Sequence, residues 1–524
     1  MGVRSCFVHR RCTGVRSCFV QRHCRPGAAS VQIVALALAA CVVHANQARA
    51  QDAQTQDVDT PRNVVLIMSD DHRYDFFSAH PNAPSFLQTP GLDRMAAEGA
   101  HIANAFVTTS LCSPSRASIL TGQYAHNHGV VDNTSPIPPG TRFFPQDLQT
   151  NGYNTAYIGK WHMGEDADDP REGFDHWVSF RGQGVYYNPT LNVDGERLQR
   201  DGYISDILTE YALNWLDAQS DDDPFFMVLS HKAVHAEFMP AERHDGAHAD
   251  IDIPYPPTMD LTESNYAGKP HWVRKQRGSW HGVDYAYHGD MNFDEFYRRY
   301  TETLLGMDES VGRVLEHLEQ SGLADETLVL YLGDNGFLLG EHGLIDKRNA
   351  YEESIRIPML AWAPGWITPG SRVDDLVRNI DIAPTFLDLT GTISDIAMDG
   401  SSFLEILDDA APPVEGAPPE AASTDREFLY EYYWEHAFPH TPTTFALRND
   451  RYKYIYYHGV WDTEELYDLT NDPQERYNLV GVPAMQETVQ HMRSRLFDRL
   501  MEEDAMRVPM RRGTWTAGER LLYE

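Results

Sequence analysis

Cysteine is the residue type whose placement in this chain points most directly to chemistry. The 524-residue sequence holds six cysteines, and five of them lie at positions 6, 12, 18, 24 and 41. If that N-terminal segment is removed, Cys112 is the only thiol left, and a lone thiol cannot form an internal disulfide. A buried cysteine often serves as a small apolar side chain. The neighbours of Cys112 favour a chemical role instead.

Those neighbours form an unusual motif. Cys112 is followed by Ser113, Pro114, Ser115 and Arg116, and then by Ala-Ser-Ile-Leu-Thr-Gly. At average residue usage, the four fixed positions of Cys-x-Pro-Ser-Arg match by chance in about one chain of this length in a thousand. A helix is predicted to begin near Pro114, and a helix N-terminus suits an anionic ligand.

Pairs of oxygen-bearing side chains follow two apolar segments. Asp70-Asp71 comes after the predicted strand Val64–Met68, and Asp334-Asn335 comes after Leu328–Leu332. Such pairs commonly form turns or helix caps when they stand alone. Two of them at strand ends, with Cys112 between them in the chain, indicate a common site. Hard oxygen donors select Ca²⁺ or Mg²⁺ over zinc.

The elements that must position these side chains alternate between strands and helices. Two further apolar strands, Thr155–Ile158 and Phe225–Leu229, also end in polar clusters. Helical patterns lie between the strands, at roughly 91–99, 115–122, 203–219 and 296–320. This alternation predicts an α/β fold with a mostly parallel sheet between helices. In such folds the ligand crevice lies beyond the carboxyl ends of the strands, where all four clusters occur.

The C-terminal quarter has a different pattern. A stretch rich in Pro, Ala and Glu from Asp408 to Thr424 predicts a linker or a long surface loop. Strands are predicted at Glu427–Tyr433 and Thr444–Tyr457, the second broken into a hairpin at Asn449-Asp450, with a helix at 484–503. We therefore expect a leader over 1–50, a catalytic domain over 61–405, a linker over 406–425 and a small α+β subdomain over 426–524.

Two motifs resemble the signatures of one enzyme family. Cys112–Arg116 and Gly152–Gly164 (GYNTAYIGKWHMG) are similar to the two signatures of type I sulfatases, the formylglycine-dependent enzymes of the alkaline phosphatase superfamily. The resemblance runs from about Asn63 to Phe403 and resumes at Glu465–Leu479. It implies an alkaline-phosphatase-like fold and sulfuric ester hydrolysis. The run Ser69–Arg73 is most similar to carbohydrate sulfatases of the N-acetylglucosamine-6-sulfatase type, so a sulfated sugar is the expected substrate.

The resemblance implies an unusual use of Cys112. In the family, a formylglycine-generating enzyme oxidises this cysteine to an aldehyde while the chain is unfolded. One oxygen of the hydrated aldehyde attacks sulfur and forms a covalent sulfate ester. The other hydroxyl then loses its proton, and the aldehyde reforms as sulfate leaves. A serine in this position could be sulfated, but it could not release the sulfate by this route.

The resemblance also assigns roles to the clustered side chains. One Ca²⁺ ion, or less readily Mg²⁺, is expected between the four oxygen-bearing side chains and the oxygen derived from Cys112. Arg116 and Lys160 would hold the nucleophile and sulfate oxygens, and His162 would contact the diol. His235 and Lys347 would stand on the leaving-group side, where one of them protonates the departing oxygen. The metal ligands implied are Asp70, Asp71, Cys112, Asp334 and Asn335.

The assignment of His235 has a competitor in the same segment. Relatives commonly have proline before this histidine, where the chain has Val234. His231 therefore stays an alternative.

The first 50 residues have the layout of an export signal. A basic stretch is followed by the apolar run Val31–Val43 and by Ala48-Arg49-Ala50, which predicts cleavage before Gln51. The protein is then expected to be periplasmic or secreted. Alternatively, Leu38–Cys41 resembles a bacterial lipoprotein box, with a lipid anchor on Cys41. No apolar run beyond residue 50 is long enough to span a bilayer.

The charge of the chain excludes some partners. Residues 1–50 hold seven arginines and no acidic residue, so their removal leaves 36 basic against 77 acidic residues. Such an acidic surface argues against nucleic acid and anionic membranes as partners. A site for an anionic substrate must then be locally basic.

Two predicted loops and one C-terminal segment are candidate walls of a substrate pocket, although packing between subdomains explains their aromatic residues equally well. They are Arg181–Gly202 with Tyr186, Tyr187 and Asn188, Leu261–Asp294, and Trp434–Thr443 with Trp434, His436 and His440. Two alternative functions stay open at this point. One is a phosphonate or phosphate monoester hydrolase on the same scaffold, and the other is a non-catalytic protein that binds sulfated glycans.

Overall fold

A computed structural model describes most of the chain. The described residues are 61–164, 167–219, 223–286, 291–413, 426–436, 438–460 and 462–509. The predicted leader over 1–50, its Cys41 and most of the predicted linker over 406–425 lie outside them. Among the helices that are described, none is long and apolar enough to cross a membrane.

The larger of two sheets is mostly parallel, which confirms the predicted fold class. The strands are β1 (Asn63–Ser69), β2 (Ala100–Phe106), β3 (Asn154–Lys160), β4 (His176–Phe180), β5 (Thr190–Val193), β6 (Glu196–Gln199), β7 (Phe225–Ser230), β8 (Thr327–Gly333), β9 (Met359–Trp362) and β10 (Ser371–Arg378). Their order across the sheet is β10-β2-β9-β8-β1-β7-β3-β4-β5-β6, and β8, β1, β7, β3 and β4 form a continuous parallel block.

Helices cover both faces of this sheet. The described α-helices are α1 (Pro90–Glu98), α2 (Cys112–Thr121), α3 (Ala125–His128), α4 (Pro145–Thr150), α5 (Ile204–Leu216), α6 (Glu263–Tyr266), α7 (His271–Gln276), α8 (Phe293–Ser321), α9 (Glu352–Ile355), α10 (Ile382–Leu389), α11 (Leu404–Asp408) and α12 (Gln486–Glu502). Helices α1, α5 and α8 pack on one face, and α2, α4 and α10 pack on the other.

The central strands are apolar along their whole length because both faces are buried. In β1, Val65 and Ile67 belong to the core under α8, while Leu66 and Met68 belong to the core under α2. Every residue of β1, β7 and β8 is buried. This explains why continuous apolar runs, without alternation, identify these strands in the sequence.

The register of the parallel block sets the carboxyl ends of its strands side by side. Met68 of β1 pairs with Ser230 of β7, and Ser69 pairs with Gly333 of β8. Gly159 of β3 pairs with the same Ser230. A Cβ at Gly159 would stand 1.8 Å from the carbonyl oxygen of Ser230, and φ there is +123°, so only glycine fits this close approach. Four strand ends therefore open into one region.

The C-terminal part forms the predicted antiparallel sheet with one helix. Its strands are β11 (Glu427–Tyr432), β12 (Thr444–Asn449), β13 (Tyr452–Tyr457) and β14 (Glu465–Asp468), in that order across the sheet. Helix α12 covers one face through Met492, Leu496 and Leu500. The other face packs on the part of the chain that carries the larger sheet, with Phe428 and Tyr430 in a shared core.

Two segments predicted to be loops contain regular structure. Leu261–Asp294 holds the short helices α6 and α7. Arg181–Gly202 contains the antiparallel strands β5 and β6 at the sheet edge. They are joined at Asp194-Gly195, where both φ angles are positive, at +51° and +96°. Asp-Gly is a strong signal for such a hairpin turn. The strands are short and the side chains of β6 are exposed, so the apolar pattern used for the other strands is missing here.

A buried ion network joins the C-terminal sheet to the part of the chain that carries the larger sheet. Lys453 on β13 contacts Glu352 of α9 at 3.0 Å and Glu475 at 2.7 Å. Arg448 on β12 contacts the same Glu352 at 3.0 Å. All four side chains are buried. Each carboxylate depends on these cations because an unpaired charge in the interior is costly.

Replacing the lysine of this network is expected to destabilise the fold. Lys453→Met leaves Glu475 without its cation and removes one of two from Glu352, which costs about 3–5 kcal/mol of unfolding free energy. Urea denaturation followed by circular dichroism measures it. Lys275→Met, at an exposed position of α7, is the matched control. Equal midpoints for the two variants would contradict this role of the network.

Candidate active site

The strand ends bring the sequence-predicted residues together. Asp70 and Asp71 follow β1, Lys160 ends β3, and Asp334 and Asn335 follow β8. Cys112 and Arg116 lie on the first two turns of α2, which begins at Cys112. Loops after β3, β7 and β8 add the remaining side chains, which are His162, His235 and Lys347.

Cys112 is fully buried at the start of α2. Its Sγ lies 2.9 Å from Lys347 Nζ and 3.4 Å from Asp70 Oδ1. Burial raises the pKa of the thiol to about 12, and the charge of Asp70 acts in the same direction. The unmodified thiol therefore stays protonated at neutral pH, and a protonated thiol is a poor nucleophile. Direct thiolate chemistry at Cys112 is disfavoured.

Arg116 makes hydrogen bonds to residues at the carboxyl ends of four strands. Its Nε donates to Asp334 Oδ2 at 2.9 Å, and Nη2 donates to Asp70 Oδ2 at 3.1 Å. Nη1 donates to the Lys160 carbonyl at 2.6 Å and to Ser230 Oγ at 2.5 Å. The guanidinium is thus engaged with groups of all four central strand ends. It binds the carboxylates of the site directly.

The carboxylates of three aspartates are buried close to one another. Oxygen atoms of Asp70, Asp71 and Asp334 lie within 4.8 Å of one another. Burial raises the pKa of Asp71 to about 6, and the other two carboxylates add to this rise although Lys347 opposes it. Burial acts on Asp70 as well, but the charges of Lys160, Arg116 and Lys347 hold its pKa well below the ordinary value.

Asn335 completes a donor set for a hard cation. Its Nδ2 donates to Asp71 Oδ1 at 2.7 Å, while its Oδ1 is buried without a hydrogen-bond partner among the described residues. An orphaned amide oxygen beside three carboxylates matches the all-oxygen ligation of Ca²⁺ or Mg²⁺. Asp70, Cys112 and His235 form a second, overlapping group of closely spaced ligand atoms. The residues present therefore fit a metal ion.

Lys160 and His162 lie two residues apart at the carboxyl end of β3. The ammonium of Lys160 contacts Asp70 and Gln183. The hydroxyl of Ser113 donates to the His162 carbonyl and lies 3.5 Å from His162 Nδ1. Burial, reinforced by the charge of Lys160, holds the pKa of His162 well below its ordinary value. The imidazole is therefore neutral and able to accept a proton.

The two competing histidines have separate environments. His235 Nε2 lies 3.9 Å from Asp71 Oδ2, and its Nδ1 donates to the Ala236 carbonyl. His231 points the other way, with Nε2 3.0 Å from Ser310 Oγ on α8. Burial and the charges of Lys160 and Lys347 hold the pKa of His235 well below its ordinary value. Of these two histidines, His235 lines the cavity that Asp71 and Lys347 also line, and His231 does not.

A cavity of about 400 Å³ opens above this cluster. Its floor includes Asp71, His235 and Lys347, and Arg348 stands beside them with its guanidinium 4.0 Å from the centre of the Phe438 ring. Apolar and aromatic side chains form much of the wall, namely Val185, Tyr186, Met239, Trp280, Phe337 and Phe438. A mostly apolar pocket with a few charged groups is typical of a small-molecule site.

Each predicted wall segment contributes to the cavity, but not through all the residues expected. The residues that line it are Gln183 to Tyr186, Trp280 with His281, and Phe438. The lining does not include Tyr187, Asn188, Trp434, His436 or His440. The hydroxyl of Tyr187 donates instead to the Pro240 carbonyl.

The sequence reasoning missed four charged residues of the lining. They are Lys232, Glu237, Asp346 and Arg348. Asp346 and Arg348 flank Lys347 directly in the chain, and this adjacency was the available signal.

Comparison with known proteins agrees with this geometry. A family model described as "Sulfatase" matches residues 62–392, and one described as "N-sulphoglucosamine sulphohydrolase, C-terminal" matches residues 340–503. An N-acetylglucosamine-6-O-sulfatase of Bacteroides thetaiotaomicron is 32% identical over 515 residues, covering 87% of each chain. The N-acetylglucosamine-6-sulfatase of Homo sapiens is 32% identical over 371 residues, covering 66% of this chain and 64% of its own.

A solved structure gives the same result. The chain is similar to a protein in complex with its substrate D-glucosamine-2-N,6-O-disulfate, with a TM-score of 0.76 and 29% identity. The match covers 86% of this chain and 99% of that one. The family model spans more than half of the sequence, and the bacterial relative extends over most of both chains. The chain therefore belongs to the sulfatase family, as a type I sulfatase of the alkaline phosphatase superfamily that hydrolyses sulfuric esters.

Proposed function

We propose that the protein is a carbohydrate sulfatase that removes the 6-O-sulfate of glucosamine or N-acetylglucosamine units through formylglycine formed at Cys112. The observation that carries this proposal is the position of Cys112, which is buried beside Asp70 and beside Lys347, a residue that lines an aromatic-walled cavity. A 400 Å³ cavity has room for a sugar ring. The names of the most similar relatives supply the sugar and its sulfated position.

Burial of Cys112 bears on when it is modified. The side chain has no exposed surface, and Pro114 and Arg116 of the motif are buried with it in α2. A separate enzyme cannot reach a thiol placed there. Conversion by a formylglycine-generating enzyme must therefore precede folding. The hydrated aldehyde supplies both an attacking oxygen and a route for sulfate release, which a thiol or hydroxyl does not.

Calcium is the proposed metal, and magnesium is the second choice. Asp70, Asp71, Asp334 and Asn335 would hold it, together with the oxygen introduced at position 112. Ca²⁺ accepts several carboxylate and amide oxygens in flexible geometry, whereas Mg²⁺ demands a near-ideal octahedron. Such an ion supplies positive charge where the sulfate ester gains negative charge.

The surrounding residues have separate proposed roles in fixing the carboxylates, binding sulfate and transferring protons. Arg116 fixes Asp70 and Asp334, while Lys160 and Lys347 stand close enough to position 112 to donate to sulfate oxygens. Neutral His162 is the proposed acceptor of the proton that accompanies sulfate release. His235 and Lys347 face the cavity, so one of them donates the proton to the departing sugar oxygen.

The proposed location follows from the first 50 residues. We propose export to the periplasm or the medium, with a lipid anchor at Cys41 as the alternative. Mass spectrometry of the protein from its native host distinguishes a chain that begins at Gln51 from one that begins at a lipidated Cys41.

Loss of the side chain at position 112 is expected to abolish the activity. Cys112→Ala removes the nucleophile, so hydrolysis of N-acetylglucosamine-6-sulfate should fall by roughly a thousandfold or more. In protein from the native host, the peptide Met95–Arg116 should carry formylglycine by mass spectrometry. Full activity of Cys112→Ala would contradict the mechanism.

A rate on aryl phosphate above that on aryl sulfate would favour the phosphate and phosphonate hydrolase alternative.

Metal removal is expected to lower thermal stability. A ligand that binds only the folded state stabilises it, by about 2.7 kcal/mol at a hundred times its Kd. A chelator should therefore lower the Tm of the wild type, and added calcium should restore it. Asn335→Leu lacks the orphaned oxygen and should show a smaller calcium-dependent shift. Asp308→Asn, whose buried carboxylate accepts from Gly91 and Leu92, is the matched control. A Tm insensitive to calcium would refute the proposed ion.

The two histidines after β7 should differ sharply when replaced. The pKa of His235 is low in the free protein, so this residue can donate a proton only after the bound sulfate anion raises that pKa. His235→Gln then removes a proton donor from the leaving-group side, so hydrolysis of a sugar sulfate should fall by about 10²–10⁴. The loss should be much smaller for an aryl sulfate, whose leaving oxygen needs no proton. His231→Gln touches only the packing against α8 and should affect both substrates equally. Equal sensitivity of both substrates to His235→Gln would remove it from the acid role.

A further inference from the structure

Lys232 is a buried cation of the cavity that none of the roles assigned above uses. It lies two residues after β7, and only 3% of its surface is exposed. Its ammonium stands 4.6 Å from the centre of the Tyr186 ring and donates to the Ala236 carbonyl at 3.3 Å, a long hydrogen bond. The aromatic face supports the cation from one side. Its remaining donors are available to the cavity, which it lines.

The other cations of the site have carboxylate partners. Lys160 contacts Asp70, and Lys347 contacts Asp71. Arg348 contacts Glu435 at 2.6 Å and Asp346 at 2.9 Å. No carboxylate among the described residues lies within salt-bridge distance of Lys232. A buried ammonium without an anion is destabilising, so its retention needs a compensating ligand.

The position of Lys232 indicates where that ligand sits. Its ammonium and His235 Nδ1 both donate to the Ala236 carbonyl, so the lysine stands beside the imidazole. Lys232, His235, Asp71 and Lys347 line the same cavity. Burial lowers the pKa of Lys232 to about 7, with the charge of Lys160 acting in the same direction and the charges of Asp70 and Asp71 opposing it. The ammonium therefore borders the place that a substrate sulfate must occupy to reach position 112.

We propose that Lys232 donates directly to an oxygen of the substrate's sulfate group and is a further binding residue for the anion. This inference rests on the proposed function, because it places the sulfate over Cys112. An anion there supplies the countercharge that Lys232 lacks in the free protein. It also gives a strongly acidic protein one more local positive charge at the point where its anionic substrate binds.

Binding of inorganic sulfate tests the inference without turnover. The parent protein is Cys112→Ala with calcium present, and its Kd for sodium sulfate is measured by calorimetry against the same protein carrying Lys232→Met. Loss of one charge-assisted hydrogen bond should raise this Kd about tenfold or more. Lys275→Met, an exposed lysine of α7, should leave it unchanged.

A thermal measurement separates binding from a structural role. Without sulfate, Lys232→Met should have a Tm equal to or above that of the parent, because it removes an unpaired buried charge. With sulfate, its Tm should rise less than that of the parent. The salt's general effect on stability is common to both proteins and cancels in this comparison. A lower Tm without sulfate would show that Lys232 serves the fold through Ala236, and would overturn the inference.

Other outcomes are equally decisive. Equal sulfate affinity in the two proteins, or no sulfate binding by the parent, overturns the inference. Weaker binding of N-acetylglucosamine-6-sulfate with unchanged binding of inorganic sulfate also overturns it, because Lys232 would then contact the sugar. Failure of the unmutated enzyme to hydrolyse N-acetylglucosamine-6-sulfate counts against the proposed substrate alone, since the sulfate titration still reports on Lys232.

Discussion

The structure depends on balancing three carboxylates that are buried within 4.8 Å of one another. Asp70, Asp71 and Asp334 repel each other in a place where water cannot screen them, so each needs a cation. Arg116 binds two of them from behind, and Lys347 binds the third from the cavity side. This arrangement requires β1 and β8 to be parallel neighbours whose carboxyl ends coincide. The sheet topology is thus tied to the charge of the site.

The same constraint explains the spacing of the cysteine motif. Cys112 and Arg116 are four residues apart on α2, so they lie on one face of the helix. When Arg116 binds Asp70 and Asp334, the start of the helix must stand next to the same carboxylates. Cys112 then lies 3.4 Å from Asp70. One ionic anchor therefore sets both the charge balance and the position of the reactive side chain.

The sequence reveals the framework of this site better than its walls. Strands β1, β3, β7 and β8 are predictable because burial on both faces produces continuous apolar runs, and the polar residues that follow them mark their carboxyl ends. The exposed edge strand β6 lacks such a run, and only Asp194-Gly195 signals its hairpin. The walls come from segments distant in sequence, as with Trp280 and Phe438. Their convergence depends on tertiary packing, which local patterns do not encode.

Phe438 links the cavity to the C-terminal sheet. It precedes β12, and it packs against Arg348, which also binds Glu435 in the same C-terminal segment. The ion pair Arg348–Glu435, which is separate from the Lys453 network, therefore fixes this wall of the cavity. The carboxylates around Cys112 are bound instead by Arg116 and Lys347, which precede the C-terminal sheet in the chain. Loosening the C-terminal sheet should thus affect how the sugar is bound, while the arrangement around position 112 is preserved.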